Sequence, residues 1–347
     1  MTANTQAASS QETGLPPLKL IKQITAYRTS QCIRVLVELG IPEMLLAGPK
    51  PVADLAASVS VQADRLERVL DHLVNEEVIG RDQDGSYVAT EATRFLATGH
   101  DHSLASWVSF EYSPILWRPW EHMVDQLRSE KPAFDLVHGA PFFDVLARDA
   151  VAQKQFDDQM RDAALGIGSL IAPLLSFPAG TTIVDVGGGN GAFLGLLLDR
   201  NADTKGVLFE LARSEEEFNP TFRKMLSCDR ASVQRGSFFE TFPTGGDVYL
   251  FSRVFHDFDD ASAAAILKNA RKAMQGQERL LLIDIVADEA DARHRGSSQD
   301  IFMLTQLGGR ERTAGEFSRL LADTGFTTVS LTPTAGPVSI LEFQPAA

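Results

Sequence analysis

A run of β-branched and apolar residues, Thr182-Ile183-Val184-Asp185-Val186, ends in three consecutive glycines, Gly187-Gly188-Gly189. Asn190 and Gly191 follow, and an apolar helical pattern opens at Ala192-Phe193-Leu194. The run is long enough for one buried strand. The glycines let the backbone bend sharply and approach a ligand where a side chain would intrude. Strand, glycine turn and helix in that order predict the ligand-binding edge of an open α/β sheet.

The spacing of the glycines fits two kinds of ligand. Gly187, Gly189 and Ala192 match the dinucleotide turn G-x-G-x-x-G/A, with Glu210 at roughly the 20-residue offset of a ribose-binding acid. Gly187, Gly189 and Gly191 match equally well the G-x-G-x-G turn that binds S-adenosylmethionine. Asp185 favours the second reading, because a carboxylate there repels a pyrophosphate but attracts a cationic amino-acid moiety. A nicotinamide dehydrogenase remains the weaker alternative.

The rest of the chain bounds the answer. Its 347 residues predict about two domains, and 44% hydrophobic content is that of an ordinary globular protein. A formal charge of −14 argues against nucleic acid as the main partner. Cys32 and Cys228 form neither a disulfide framework nor a thiolate metal site. Residues 1–15 are polar and read as a disordered leader, and no apolar run is long enough to span a membrane, so a cytoplasmic protein is expected.

Residues 16–100 read as helices followed by a hairpin around Asp84-Gly85, the order of a winged helix. Acids crowd its second helix (Asp64, Glu67, Asp71, Glu76, Glu77), so packing or dimerisation is expected rather than a DNA-binding regulator. Helical patterns continue through 101–178, at Ser103–Arg128, Pro141–Ala147 and Gln153–Leu175, as a linker with substrate-pocket helices. From 179 to 347 strands alternate with helices: Thr182–Val186, Gly206–Glu210, Ser232–Gln234, Asp247–Phe251 and Leu280–Ile285. Alternation predicts a parallel sheet covered on both faces. Thr327–Leu331 and Val338–Phe343 are too close for a crossover and must pair antiparallel.

Three ordered motifs carry a family resemblance: Val184–Gly191, then Gly246–Leu250 running into His256-Asp257-Phe258-Asp259-Asp260, then Gly308-Gly309-Arg310-Glu311-Arg312-Thr313. From about Leu18 onward the chain resembles the small-molecule O-methyltransferases, both caffeate-type and bacterial natural-product enzymes. The resemblance implies a doubly wound, Rossmann-like α/β methyltransferase sheet with a C-terminal antiparallel hairpin. It also implies an N-terminal, mainly helical, winged-helix-like dimerisation domain and an intertwined homodimer. The cofactor would be S-adenosyl-L-methionine, leaving S-adenosyl-L-homocysteine as product, with no metal and no membrane or nucleic-acid partner. The acceptor would be a hydroxyl of a small aromatic metabolite, as in antibiotic biosynthesis.

Carried across by residue, the cofactor set is Asp185, Gly187, Gly189, Glu210 for the ribose hydroxyls, Ser237 and Phe238 at the adenine, and Ser252 with Arg253 beneath. Ser237 and Ser252 stand where many relatives have Asp and Lys, which weakens a contact without changing the cofactor. His256 matches the general base, Glu311 the acid that orients it, and Asp284 a second acid, one carbon shorter than the usual glutamate. Met160, Trp107, Phe110, Phe302, Met303 and Gln306 are expected to line the acceptor pocket. The acids Asp257, Asp259 and Asp260 read as helix-start residues rather than metal ligands. An N-methyltransferase or hydroxylase on the same fold is the alternative, since neither needs a base.

Overall fold

A computed structural model describes residues 16–100, 102–211, 215–274, 276–287 and 297–346. The leader expected at 1–15 lies outside the described residues. The chain divides into two compact units, residues 1–112 and 113–347.

The first unit begins with helices Pro16–Thr25, Tyr27–Glu38, Ile41–Leu46, Val52–Ser58 and Ala63–Asn75. Leu66, Leu70 and Leu73 recur at helical spacing and all three are buried, so the last of these helices turns one apolar stripe inward. Strands β1 (Ile79–Arg81) and β2 (Tyr87–Ala89) form the antiparallel wing, joined through Gly85 at φ 82°. The acids of the preceding helix serve this wing: Arg81 pairs with Glu67 and Asp71, and the Tyr87 hydroxyl donates to Asp71 at 2.7 Å.

The second unit opens with short helices and then the 22-residue helix Ala150–Ile171, whose N-terminus is capped by the Asp149 carboxylate at Val151 and Ala152 N–H. The helical pattern over Ser103–Arg128 is built from several pieces: Ala105–Glu111, Pro114–Trp117, a 3-10 turn at Arg118–His122, and Met123–Gln126. Pro114 and Pro119 lack the N–H that a continuous helix needs, and they stand at the first and second positions of their elements.

The main sheet comprises β3 (Thr182–Val186), β4 (Lys205–Glu210), β5 (Ala231–Arg235), β6 (Val248–Ser252), β7 (Arg279–Ala287), β8 (Arg312–Thr313), β9 (Phe326–Pro333) and β10 (Val338–Pro345). Their order is β5-β4-β3-β6-β7-β10-β9, with β8 pairing beside the end of β7. Strands β3 to β7 are parallel, whereas β10 runs antiparallel to both β7 and β9, as the short final connection requires. Side chains alternate across the sheet. In β6, Val248 and Leu250 join the layer of Leu194, Leu197 and Phe222, while Tyr249 and Phe251 join that of Ile266, Leu267 and Phe317. The order reverses between β3 and β6, and there the carboxyl ends of parallel strands open a crevice. Among the described residues no helix is long and apolar enough to cross a membrane.

Candidate active site

The glycine turn follows β3. Gly187, Gly189 and Gly191 have φ of 69°, 59° and 76°, a region costly for any residue with a Cβ. A Cβ on Gly189 would meet nothing within 4 Å, so the turn faces open space rather than packed protein. Gly189 N–H donates to Glu210 Oε2 at 2.8 Å, which brings the β4 acid to the turn. A Cβ placed on Gly187 would stand 3.5 Å from the Phe238 ring, so that aromatic flanks the same turn. Ser237 beside it accepts a hydrogen bond from Phe239 N–H at 3.3 Å. Ser252 ends β6 half-buried, and Arg253 after it holds φ 56° with its N–H donating to Ile283 O at 2.8 Å.

Beneath the turn, Asp185 is fully buried, and neither of its carboxyl oxygens has a hydrogen-bond partner among the described residues. Burial, and next the Glu210 charge, push this carboxyl up to about 7. An unpaired buried carboxyl is costly, and an arriving positive charge relieves it. The residues at this turn therefore fit a cofactor that carries a cationic group together with hydroxyls for Glu210. They do not fit a pyrophosphate, which would add negative charge to two acids already in repulsion.

The second cluster gathers at the ends of β6 and β7. His256 lies in a one-turn 3-10 segment, Phe255–Asp257, and is 3% exposed. Its Nδ1 stands 3.1 Å from Glu311 Oε1 and 3.8 Å from Asp284 Oδ1. With Nδ1–H donating to the carboxylate, Nε2 carries the free lone pair. Asp257 Oδ1 is the nearest acid to Nε2, at 3.4 Å, too far for a strong hydrogen bond. Burial drives the imidazole down to about 4, with Asp284 pulling the other way, and the same burial lifts Glu311 to about 7 against the attraction of Arg253. Asp284 and Asp257 are raised too, by burial foremost. At neutral pH the imidazole is thus uncharged, and with Nδ1–H held by Glu311 it offers an acceptor lone pair at Nε2.

His256, Asp284 and Glu311 place three ligand-type atoms within 4.8 Å of one another, which is also the compass of a divalent metal. The guanidinium groups of Arg253 and Arg312 already put positive charge into these surroundings. That favours a hydrogen-bonded acid–imidazole set over a further cation.

The remaining expected residues are more dispersed. Met160 sits half-buried on Ala150–Ile171. On the helix Ser298–Gln306, Phe302 is half-buried with its ring 6.5 Å from Trp120, while Met303 and Gln306 are buried. Gln306 Nε2 donates to Leu116 O at 3.1 Å, and its Oε1 has no partner among the described residues. Trp107 and Phe110 belong to the first unit, on Ala105–Glu111, with Phe110 buried and Trp107 37% exposed. Sequence reasoning gave one role to three neighbouring acids, yet the structure separates them. Asp259 caps a helix through Ser262 N–H at 2.7 Å, Asp260 pairs with Arg312 at 2.8 Å, and Asp257 faces His256. Sequence reasoning also gave Arg312 no role, whereas that side chain is 1% exposed.

Comparison with known proteins adds independent findings. Residues 120–327 match the model of the O-methyltransferase domain, and residues 21–99 match that of the O-methyltransferase dimerisation domain. A mitomycin biosynthesis 6-O-methyltransferase of Streptomyces lavendulae is 32% identical, covering 91% of each chain. An 8-amino-8-demethylriboflavin N,N-dimethyltransferase of Streptomyces davaonensis is 31% identical, covering 88% of this chain and 89% of its own. Among solved structures, an O-methyltransferase from neocarzinostatin biosynthesis, in complex with S-adenosylmethionine and 2-hydroxy-5-methyl naphthoic acid, superposes with a TM-score of 0.76. It is 30% identical and covers 92% of this chain and 96% of its own.

Proposed function

The chain belongs to the O-methyltransferase family, and on that premise we propose that it methylates a hydroxyl group of a small aromatic metabolite with His256 as general base. It is an enzyme of the class of S-adenosylmethionine-dependent O- and N-methyltransferases of specialised metabolism, and S-adenosylmethionine is its cofactor. When bound, that cofactor supplies an electrophilic methyl on a positively charged sulfur. Glu210 is suited to its ribose hydroxyls, Phe238 to its adenine, and Asp185 to its cationic end.

One observation carries the choice of oxygen over nitrogen: a buried imidazole with Glu311 3.1 Å from Nδ1, which in the Nδ1–H tautomer leaves Nε2 a lone pair. An amine acceptor loses no proton before it attacks and has no use for this arrangement. A phenolic hydroxyl does. A phenol near pKa ~10 facing an imidazole near 4 makes complete prior proton transfer cost about 8 kcal/mol. The proton therefore moves to Nε2 as the oxygen attacks, when its acidity has risen. Glu311 and Asp284 then balance the positive charge on the ring. The rest of the barrier is lowered by holding the reacting atoms in line in the crevice.

The homodimer is part of this proposal, resting on the match of residues 21–99 to the dimerisation domain. The deciding experiment screens aromatic hydroxyl compounds with methyl-labelled cofactor and then repeats the active pair with His256→Ala. Turnover is expected to fall about 10²–10⁴-fold, while calorimetric affinity for S-adenosylmethionine stays within a few-fold. Undiminished methylation by the variant rules the base assignment out.

A further inference from the structure

Among the described residues Arg312 is the bulkiest of the fully buried side chains, and nothing in the proposed chemistry uses it. Its Nη1 donates to Phe255 O at 2.6 Å and its Nη2 to Phe258 O at 2.8 Å, the carbonyls on either side of His256-Asp257. Its Nε donates to Asp260 Oδ1 at 2.9 Å, where the next helix starts. The flanking backbone does related work. Arg310 N–H donates to His256 O at 2.9 Å, and a Cβ on Gly309 would overlap that same carbonyl. Arg312 and Thr313 in turn pair with Val286 and Ala287, the continuation of the strand that carries Asp284.

The geometry points to Arg312 as the positioning residue that holds His256 in register with Glu311 and Asp284. Its guanidinium grips the base's own turn from both sides, its backbone is keyed to the Asp284 strand, and Glu311 is its neighbour in sequence. Three groups that arrive from separate parts of the chain meet through this one residue. A planar fork is what the task needs, because it reaches two carbonyls and a carboxylate in fixed directions at once. A lysine retains the charge and cannot span them. Arg312 touches neither reacting atom and acts through His256, so the inference rests on the base reading of that histidine.

The test uses full-length protein with the conservative variant Arg312→Lys. In ligand-free protein, ¹⁵N-histidine NMR follows the titration of the His256 ring, assigned by its loss in His256→Ala. The charged groups facing that ring are Asp257, Asp284, Glu311, Arg253 and Arg312, and Arg312→Lys alters the charge of none. The wild-type midpoint is expected well below the ordinary 6.5. Loosening the turn admits water, and the variant midpoint should rise by about one unit or more. A midpoint unchanged to within about 0.2 units overturns the inference.

Kinetics supply the second reading, with the acceptor found in the screen. Arg312→Lys should lower kcat about tenfold or more with cofactor affinity unchanged. In a His256→Ala background it should cost less than about twofold, because the group it positions is gone. Losses that multiply in the double variant mean that Arg312 supports the fold alone. A silent His256→Ala sinks the base reading itself, and the NMR titration then still decides whether Arg312 holds the ring. If Arg312→Lys does not fold, Asp260→Ala removes one partner of the guanidinium at the surface, where the Asp260 side chain is 61% exposed. The same shifts are then expected at about a third of the size.

Discussion

Asp185, one residue before the end of its strand, is an acid with no hydrogen-bond partner for either oxygen among the described residues. Unfolded, its carboxyl ionises near the ordinary 3.8, and folded it does so near 7. Between those values the folded state keeps a proton that the unfolded state has lost, so stability falls as pH rises from about 4 to 7 and stays low above. Asp185→Asn removes that penalty. Thermal melts of ligand-free protein should show the variant more stable at pH 8, by on the order of 4 kcal/mol at most, and near parity at pH 4. Equal melting at pH 8 would mean that the carboxyl is not strained. His256 works with the opposite sign, since its depressed value withdraws stability as pH falls from 6.5 towards 4. Asp185, His256 and Glu311 stood out in the sequence because each sits in a motif whose chemistry calls for its type, whereas Asp284, near the end of a strand, was reached only through the family resemblance. Asp257 and Arg312 did not stand out, because their partners are a ring and main-chain carbonyls that only the folded turn brings within reach.

The turn of Gly308 to Thr313 shows what an element adds beyond its residues. It has little regular structure, yet it pairs with β7, carries Glu311 and lies against the backbone of His256. Gly309→Ala forces a methyl group onto that backbone. Such overpacking is expected to cost about 1–3 kcal/mol in urea unfolding and to reduce kcat together with stability. An unchanged unfolding midpoint would show that the turn yields freely. Strands were read from sequence to within a residue or two wherever β-branched or apolar runs were bounded by turn residues, as in Thr182–Val186. The breaks within the helical stretch before the sheet were not legible, because periodicity persists across Pro114 and Pro119 while the hydrogen-bond ladder does not. The helix Ala133–His138 was not among the helical patterns read from the sequence.

At the scale of the whole molecule, the first helix is the unfinished part. Leu18, Leu20, Ile21 and Ile24 on Pro16–Thr25 are each more than half exposed, more apolar surface than a short helix keeps in water without a partner. The proposed homodimer gives them one. Ile24→Asp should shift sedimentation from dimer towards monomer, and an unaffected dimer would place the contact elsewhere. The order of strands was legible because alternation and one short connection admit few sheets, whereas the acceptor pocket was not, because it depends on how helices from distant stretches pack. The sheet also has a consequence for how the protein is made. Leu280 of β7 pairs with Phe343 of β10, so the flank of the Asp284 strand goes unmatched until residues numbered in the 340s leave the ribosome. At bacterial or eukaryotic elongation speeds that wait is roughly 3–13 seconds, a window in which a nascent chain exposes the unpaired edge of this apolar strand to chaperones and to other nascent copies alike.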